Sequence, residues 1–262
     1  MAPYLAAFER AEPGKHHPAP WAPVSNGMAF DVEIELHLPL SLSLPDWFDR
    51  LNTVWLIAAL LRLESQTPLM VPAITNLPFA QIPKTKEAVC FWPIEMIPRR
   101  LFLTEHRSLT EEHLGWVKKH WLAAGRLFDK NQEFNAALQA IDHASWNQNP
   151  SLALIMIWGA LERIFCNSTQ ELGFKLAAFI STFLSESGRE RFDMFREIKR
   201  LYSERSRAAH GRMDRELEHA QTSYSILRKV LRKIIEDGAV PGGDDLEKRL
   251  LAHGLPMQRG EE

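Results

Sequence analysis

The chain of 262 residues contains only two cysteines, Cys90 and Cys166, and each lies in an apolar run without other metal-ligating residues nearby. This scarcity argues against a disulfide framework and against a cysteine metal site, and it indicates buried, reduced thiols in a cytoplasmic protein. Long apolar runs are also missing. The longest, near Val54–Leu61 and Leu152–Leu161, fall well below the roughly 18 residues that cross a bilayer. We therefore expect no membrane association, and we find no secretion signal at the N-terminus.

Neither sign of charge dominates the composition. The formal net charge is -2 and charged residues make up 24% of the chain, so any affinity for nucleic acid has to come from a local basic patch. The first hundred residues contain neither a glycine-rich phosphate loop nor a nucleophile elbow. No acidic cluster suited to a metal ion is evident, and we expect no cofactor.

The N-terminal part of the sequence changes its hydrophobic period twice. Prolines interrupt residues 1 to about 27, and Phe30–Leu38 then alternates between apolar and polar residues, which predicts a half-buried strand. From Pro45 to about Glu64 apolar residues recur every three or four positions, which predicts an amphipathic helix. Two further strands are predicted at Ala88–Trp92 and Arg100–Leu103.

After about Leu103 the pattern is helical throughout. Ser108 and Glu111 have the spacing of a capping box at the start of the first helix. Asn149-Pro150 combines a capping residue with the residue favoured at the first helical position. The helix that follows, over about 151–166, is apolar nearly all round, so we expect it at the centre of the helical region.

The last long helix is predicted to stop near Gly238, and Pro241-Gly242-Gly243 opens a charged tail that we expect to be mobile. The fold is therefore predicted to be mostly α. Its three parts are a small α+β module of unknown role over residues 1–104, a helical region over 105–237 and the tail over 238–262.

The most informative stretch is Leu201-Tyr202-Ser203-Glu204-Arg205-Ser206-Arg207-Ala208-Ala209-His210-Gly211. Arg205 is a permanent cation with a planar fork of donors that suits phosphate oxygens, and His210 exchanges protons near neutral pH. Five residues on a continuous helix would lie roughly 140° apart. Gly211 favours a helix end, which would let His210 turn back toward Arg205. On spacing alone, such a pair more often marks a solvated helix face and a satisfied histidine.

The pattern Leu-Tyr-x-x-Arg-Ser-x-x-x-His-Gly resembles the signature of the Apea-like branch of the HEPN superfamily. Ala160-Leu161-Glu162 and Phe174-Lys175-Leu176-Ala177 are also similar to helix signatures of that family. The resemblance covers about residues 150–236 and leaves the first hundred residues unexplained. It implies an antiparallel helical bundle whose Arg-x4-6-His motif often forms a metal-independent ribonuclease site.

The resemblance implies an endoribonuclease in which the 2′-hydroxyl of the RNA attacks the neighbouring phosphate. His210 would move a proton, Arg205 would stabilise charge on the phosphoryl oxygens, and Ser206 would orient one of them. The family commonly pairs two motifs across a dimer, which implies a homodimer with a composite site. Its members often serve as defence or toxin effectors in prokaryotes, sometimes under a regulatory partner protein. Some carry a modifiable tyrosine two residues after the histidine, but here that residue is Arg212, so that regulation is not inferred.

Several other residues are candidates for supporting this site. Glu162 lies on the otherwise apolar helix, where an unpaired carboxylate is costly, so we expect an ion pair with Arg205 or a neighbouring arginine. A purely structural ion pair would explain it equally well, and Tyr202 is expected to serve packing. Between Arg189 and Arg215 there are nine basic and five acidic residues, a local net charge of +4. The candidates for RNA contact are Lys199, Arg200, Arg207 and Arg212.

Two alternatives remain open on the sequence. The first is a non-catalytic HEPN module that binds RNA, a nucleotide or a protein partner. The second is a scaffold that only dimerises through its helices, and this predicts a buried Arg205 without access to solvent. The basic residues around the motif would then form an ordinary solvated face.

Overall fold

The structure, a computed structural model, describes residues 4–7, 21–24, 34–39, 41–46, 48–67, 69–86, 89–95, 108–166, 171–186, 188–208 and 216–251. For residues 4–7, 21–24, 83, 91, 93 and 206–208 it describes the backbone alone. The described chain is mostly helical, which confirms the predicted α-rich character. No helix in these ranges combines the length and the apolar character needed to cross a bilayer.

The described elements are short strands and a 3-10 helix in the first hundred residues and long helices elsewhere. The strands are β1 (Tyr4–Ala7), β2 (Trp21–Val24), β3 (Ala73–Thr75) and β4 (Phe91–Pro93), and the 3-10 helix spans Phe79–Lys84. The α-helices are α1 (Arg50–Ser65), α2 (Glu111–Lys130), α3 (Gln132–Trp146), α4 (Pro150–Phe165), α5 (Leu172–Leu184), α6 (Arg189–Ala208), α7 (Glu216–Asp237) and α8 (Gly243–Leu251).

The chain divides into two compact units. The first comprises Met1–Val54 with Leu69–Pro98, and the second comprises Trp55–Pro68 with Arg99–Glu262. The predicted boundary at residue 104 lies outside the described residues.

Among its described residues, the first unit contains two two-stranded antiparallel sheets. In one, β1 pairs with β2 so that Tyr4 lies opposite Val24, and in the other β3 pairs with β4 so that Ala73 lies opposite Pro93. β4 is displaced by a few residues from the strand predicted at Ala88–Trp92. The strand predicted at Arg100–Leu103 lies outside the described residues.

The strand predicted at Phe30–Leu38 is wrong for its described part. Residues 34–38 form no strand, and Ile34 and Leu36 are 52% and 39% exposed. The carbonyl groups of Leu38 and Pro39 accept hydrogen bonds from the Arg50 guanidinium and not from another strand. An alternating pattern forms a strand only when a neighbouring strand hydrogen-bonds to its backbone N–H and C=O groups. Here the Arg50 side chain instead hydrogen-bonds to the carbonyl groups at the C-terminal end of this stretch.

Two predicted helix starts are shifted because different residues cap them. α1 begins at Arg50 and not near Pro45, since the Asp49 carboxylate accepts a hydrogen bond of 2.7 Å from the Asn52 amide. α2 begins after Thr110, whose hydroxyl accepts from the His113 amide while the His113 ring accepts from the Thr110 amide. The capping box therefore lies two residues beyond the predicted Ser108 and Glu111.

α4 is the central helix of the second unit, as predicted. It starts where expected, because the Asn149 side chain accepts hydrogen bonds from the amides of Ser151 and Leu152, and Pro150 is the first helical residue. It packs against α3, α5, α6 and α7. Eight of its residues are buried: Ala153, Leu154, Ile157, Trp158, Ala160, Leu161, Ile164 and Phe165.

The tail predicted to be mobile contains a helix. α7 ends at Gly238 (φ +70°), the left-handed conformation that terminates helices, and α8 follows over Gly243–Leu251. α8 packs against α5 and buries Leu246. Acidic residues in its first turn and basic residues in its last turn complement the helix dipole, so charges interpreted as a solvated tail stabilise a helix. Residues 252–262 lie outside the described residues.

The cysteines also differ from expectation. Cys90 is exposed just before β4 and Cys166 is half-buried at the end of α4, and both are free thiols. The prediction of burial is therefore wrong for Cys90. Its backbone amide donates to the side chain of Asn76, which places the residue at the edge of a short sheet rather than in a core.

Replacement of Leu161 tests whether α4 carries the core. Leu161 is fully buried, so Leu161→Ala should lower the free energy of unfolding by about 2–5 kcal/mol through lost burial and a cavity. Leu152, on the same helix, is 50% exposed and provides the control, for which Leu152→Ala should cost less than about 1 kcal/mol. Urea denaturation followed by circular dichroism measures both, and equal losses would contradict a central α4.

Candidate functional site

The carboxylate of Glu162, near the end of α4, connects two side chains of α6. Its Oε1 accepts a hydrogen bond of 2.9 Å from the Tyr202 hydroxyl and lies 3.3 Å from Nη2 of Arg205. The ion pair expected for Glu162 is therefore present. Both charged side chains are about a quarter exposed, at 23% for Glu162 and 26% for Arg205, so the pair lies at the rim of the core and not inside it.

The ring of Tyr202 is positioned by contacts with Trp158 and Arg205. Its ring meets the buried Trp158 of α4 edge to face, with centroids 5.3 Å apart. The Arg205 guanidinium carbon lies 5.6 Å from the centroid of the Tyr202 ring, within range of a cation–π contact. Trp158 is fixed in turn, because its indole N–H donates to the hydroxyl of Ser223 on α7 at 3.1 Å. The position of Tyr202 on α6 thus depends on side chains of α4 and α7.

Gly173 in the first turn of α5 completes the packing around Tyr202. A Cβ atom built there would lie 3.0 Å from Cδ1 and 3.3 Å from Cε1 of the Tyr202 ring, closer than ordinary carbon contacts. The absent side chain therefore makes room for the ring. Sequence reasoning did not identify Gly173, Trp158 or Ser223. The sequence shows only a glycine at the start of a strongly apolar helix, and this does not indicate which aromatic ring packs against it.

The surroundings keep the neutral groups of the site protonated. Burial, followed by the hydrogen bond to Glu162, raises the pKa of Tyr202 to about 12, so its hydroxyl remains a donor to the carboxylate at neutral pH. Burial also raises the pKa of the Cys166 thiol to about 11, with Lys175 opposing and Glu162 adding to the shift. Cys166 is therefore no thiolate nucleophile at neutral pH.

Arg205 keeps unused donor capacity. Its Nη2 meets Glu162, whereas its Nε is buried and has no hydrogen-bond partner within the described ranges. Because the Nε atom itself is shielded from solvent, a further acceptor can reach this side chain only at its exposed part. An arginine held at one end by a carboxylate and an aromatic ring, with about a quarter of its surface open, is suited to bind an oxyanion.

The remaining candidates of the motif are only partly visible. The backbone of α6 is described to Ala208, but the side chains of Ser206 and Arg207 are not, and His210 and Arg212 lie outside the described residues. The structure brings Arg205, Tyr202 and Glu162 together. The approach of His210 to Arg205 stays a prediction.

Lys199 and Arg200 differ in how available their charges are. Arg200 donates to both oxygens of Glu197, at 3.0 and 2.7 Å, and these hydrogen bonds lower the pKa of Glu197. Such an exposed pair contributes little stability but largely neutralises both charges. Lys199 is exposed and has no ion-pair partner in the part of the chain that the structure describes. Lys199 is therefore the more available cation for a phosphate.

No family model, curated protein or solved structure matches this chain. The candidate site therefore has to be interpreted from its own geometry and from the resemblance of its motif. Within the described ranges, no group of three or more histidine, cysteine, aspartate or glutamate residues is placed to hold a metal ion.

Removal of the Tyr202 hydroxyl tests the contact with Glu162. An unfolded tyrosine titrates near pH 10 and the folded one at about 12, so the folded state holds its proton more tightly. The contribution of the protonated Tyr202 hydroxyl to the free energy of unfolding is therefore fully present below pH 10 and is lost as the pH rises toward 12. The tyrosinate absorbance of the wild type minus that of Tyr202→Phe should show one step with its midpoint at about pH 12, provided circular dichroism confirms the fold. A midpoint near 10 would contradict the contact.

Proposed function

We propose that this chain is a metal-independent endoribonuclease with a HEPN-type helical bundle of the Apea-like branch, preceded by a small α+β module. The observation that supports this most is the positioned guanidinium of Arg205. Glu162 and the Tyr202 ring orient it, yet about a quarter of its side-chain surface remains exposed. A preorganised cation of this kind is what phosphoryl-transfer chemistry requires, because it stabilises charge without rearranging.

The proposed reaction needs only groups of the chain and of the RNA. The 2′-oxygen attacks the adjacent phosphorus, the bond from phosphorus to the 5′-oxygen breaks, and the products are a 2′,3′-cyclic phosphate and a free 5′-hydroxyl. His210 takes the proton from the 2′-hydroxyl or gives one to the leaving 5′-oxygen. Arg205 stabilises the negative charge on the phosphoryl oxygens, and Ser206 orients one of them.

Two proton transfers and a single Arg-x4-His motif per chain favour a homodimer with a composite site. In such a dimer the same patch meets itself across a two-fold axis. The local excess of basic residues would repel across that axis, and RNA phosphates would relieve the repulsion on binding. The wider role, a cytoplasmic defence or toxin effector under a possible regulatory partner, rests on the resemblance of the motif.

The second candidate is a non-catalytic HEPN module that binds RNA, a nucleotide or a protein partner. The ion pair between Glu162 and Arg205 favours it, because part of the arginine charge is already balanced. A scaffold that only dimerises is less well supported, since it requires a buried Arg205 and the side chain is 26% exposed.

An assay with mixed RNA in EDTA separates these functions. Wild-type protein should cleave RNA without divalent metal and leave 2′,3′-cyclic phosphate ends. Arg205→Ala and His210→Ala should each lower the rate by at least about a hundredfold, because they remove charge stabilisation and proton transfer.

The matched controls are Arg126→Ala, an exposed arginine of α2, and His143→Ala, an exposed histidine of α3. Both should cleave at the wild-type rate while circular dichroism shows all four variants folded. Full activity of Arg205→Ala or His210→Ala would refute the assigned roles. RNA binding without cleavage by the wild type would favour the non-catalytic module.

Mixed subunits test the composite site. If each site takes its two proton-transfer groups from the two subunits, a dimer of one wild-type and one His210→Ala subunit lacks one of these groups at every site. An equal mixture of the two chains should then keep about a quarter of wild-type cleavage, since about a quarter of the dimers are wild type in both subunits, whereas independent sites would keep about half. A wild-type protein that is monomeric by light scattering at assay concentration and still cleaves at full rate would contradict the dimer.

A further inference from the structure

Two phenylalanine rings, one from α5 and one from α6, are in contact. Phe174 of α5 and Phe195 of α6 meet edge to face, with centroids 5.5 Å apart, and Phe192 lies one helical turn before Phe195. Phe174 is 52% exposed and Phe192 is 53% exposed. Large aromatic rings exposed on two helices that pack against each other indicate a surface that meets a partner. The contact with Phe195 holds the Phe174 ring at a fixed angle.

Two basic residues of α6, Arg196 and Lys199, lie on the same helix face as Phe192. The guanidinium carbon of Arg196 lies 5.9 Å from the centroid of the Phe192 ring, and Lys199 follows one turn later. Spacings of four and three residues place Phe192, Arg196 and Lys199 on one face of α6. We name Phe174, Phe192, Phe195, Arg196 and Lys199 together the α5–α6 surface.

Two carboxylates next to these residues in the sequence, Asp193 and Glu197, are paired with arginines. Asp193 pairs with Arg189 at 2.9 Å, and Glu197 pairs with Arg200 at 2.7 Å. An open hollow lined by Asp193, Arg196, Glu197 and Arg200 adjoins the rings. An anionic chain lying here therefore meets Arg196 and Lys199 without facing an uncompensated carboxylate of Asp193 or Glu197.

We infer that the α5–α6 surface binds single-stranded RNA, with bases stacked on Phe174 and Phe192 and phosphates beside Arg196 and Lys199. Rings for base stacking combined with cations for the backbone are the way proteins hold single strands without reading sequence. A duplex keeps its base faces inside its own stack and cannot use the rings.

This inference rests on the proposed function, because it assigns the substrate a second point of contact. Arg205 lies six residues beyond Lys199, about 9 Å along α6, and faces Glu162 of α4. The α5–α6 surface is therefore a separate binding site for the strand and not part of the reacting groups.

The test measures binding apart from cleavage. In the non-cleaving His210→Ala chain, the affinity for a fluorescent single-stranded RNA is followed by anisotropy. Phe174→Leu and Phe192→Leu, which keep apolar bulk but lose the aromatic face, should each weaken binding about tenfold. Affinity for duplex RNA should not change. Lys199→Gln should reduce the slope of log affinity against log salt by about 0.7.

Matched controls lie on other helices of the same unit. Leu114→Ala removes an apolar side chain of α2 that is 43% exposed, and Lys229→Gln removes an exposed charge of α7. Both should leave single-strand affinity and its salt slope unchanged, and thermal unfolding should show every variant folded.

The outcomes separate this inference from the proposed function. If the His210→Ala chain binds single strands equally well with and without the two rings, or loses duplex affinity to the same extent, the inference is overturned while wild-type cleavage still supports the nuclease. If it binds no RNA at all, the inference is overturned whether or not the wild type cleaves, and a protein partner becomes the occupant to seek. Ring-dependent binding of single strands by a chain that never cleaves RNA would support the surface and refute the nuclease.

Discussion

The arrangement of the candidate site depends on the carboxylate of Glu162. It lies on α4, whose other side chains are mostly apolar and buried, and a carboxylate in such a place needs partners. α6 supplies both of them, the hydroxyl of Tyr202 and the guanidinium of Arg205. Since these two residues are three positions apart, they lie on one face of α6, and one carboxylate joins both of them to α4.

The same contact sets the chemical state of its partners. Because burial and the bond to Glu162 raise the pKa of Tyr202 to about 12, the tyrosine stays neutral at neutral pH and its hydroxyl donates to the carboxylate. An ion pair at the edge of a core adds little net stability, since the loss of hydration offsets the attraction. Its value here is orientation: a planar guanidinium held at one end has fewer conformations to lose when it meets an oxyanion.

Sequence reasoning worked where the deciding information was local. Asn149-Pro150 contains its own capping chemistry, and a carboxylate at position 162 of an apolar helix demands a cation. It failed where the local structure depends on a residue that is distant in the sequence. Phe30–Leu38 alternates like a strand, but its described part meets the Arg50 side chain and no partner strand. The space that Gly173 leaves has meaning only once the Tyr202 ring is in place, and helix periodicity does not show which ring of another helix will arrive there.

The ion pair with Glu162 does not prevent Arg205 from serving a phosphate. A guanidinium has five N–H donors, the contact with Glu162 engages Nη2, and about a quarter of the Arg205 side chain is exposed. A phosphate oxygen can therefore be bound beside the carboxylate and need not displace it. The negative charge of Glu162 repels a singly charged phosphodiester and repels more strongly the larger charge that develops in the transition state. In the proposed reaction, Glu162 therefore contributes by holding the guanidinium in one orientation, and its charge is a cost that this preorganisation has to exceed.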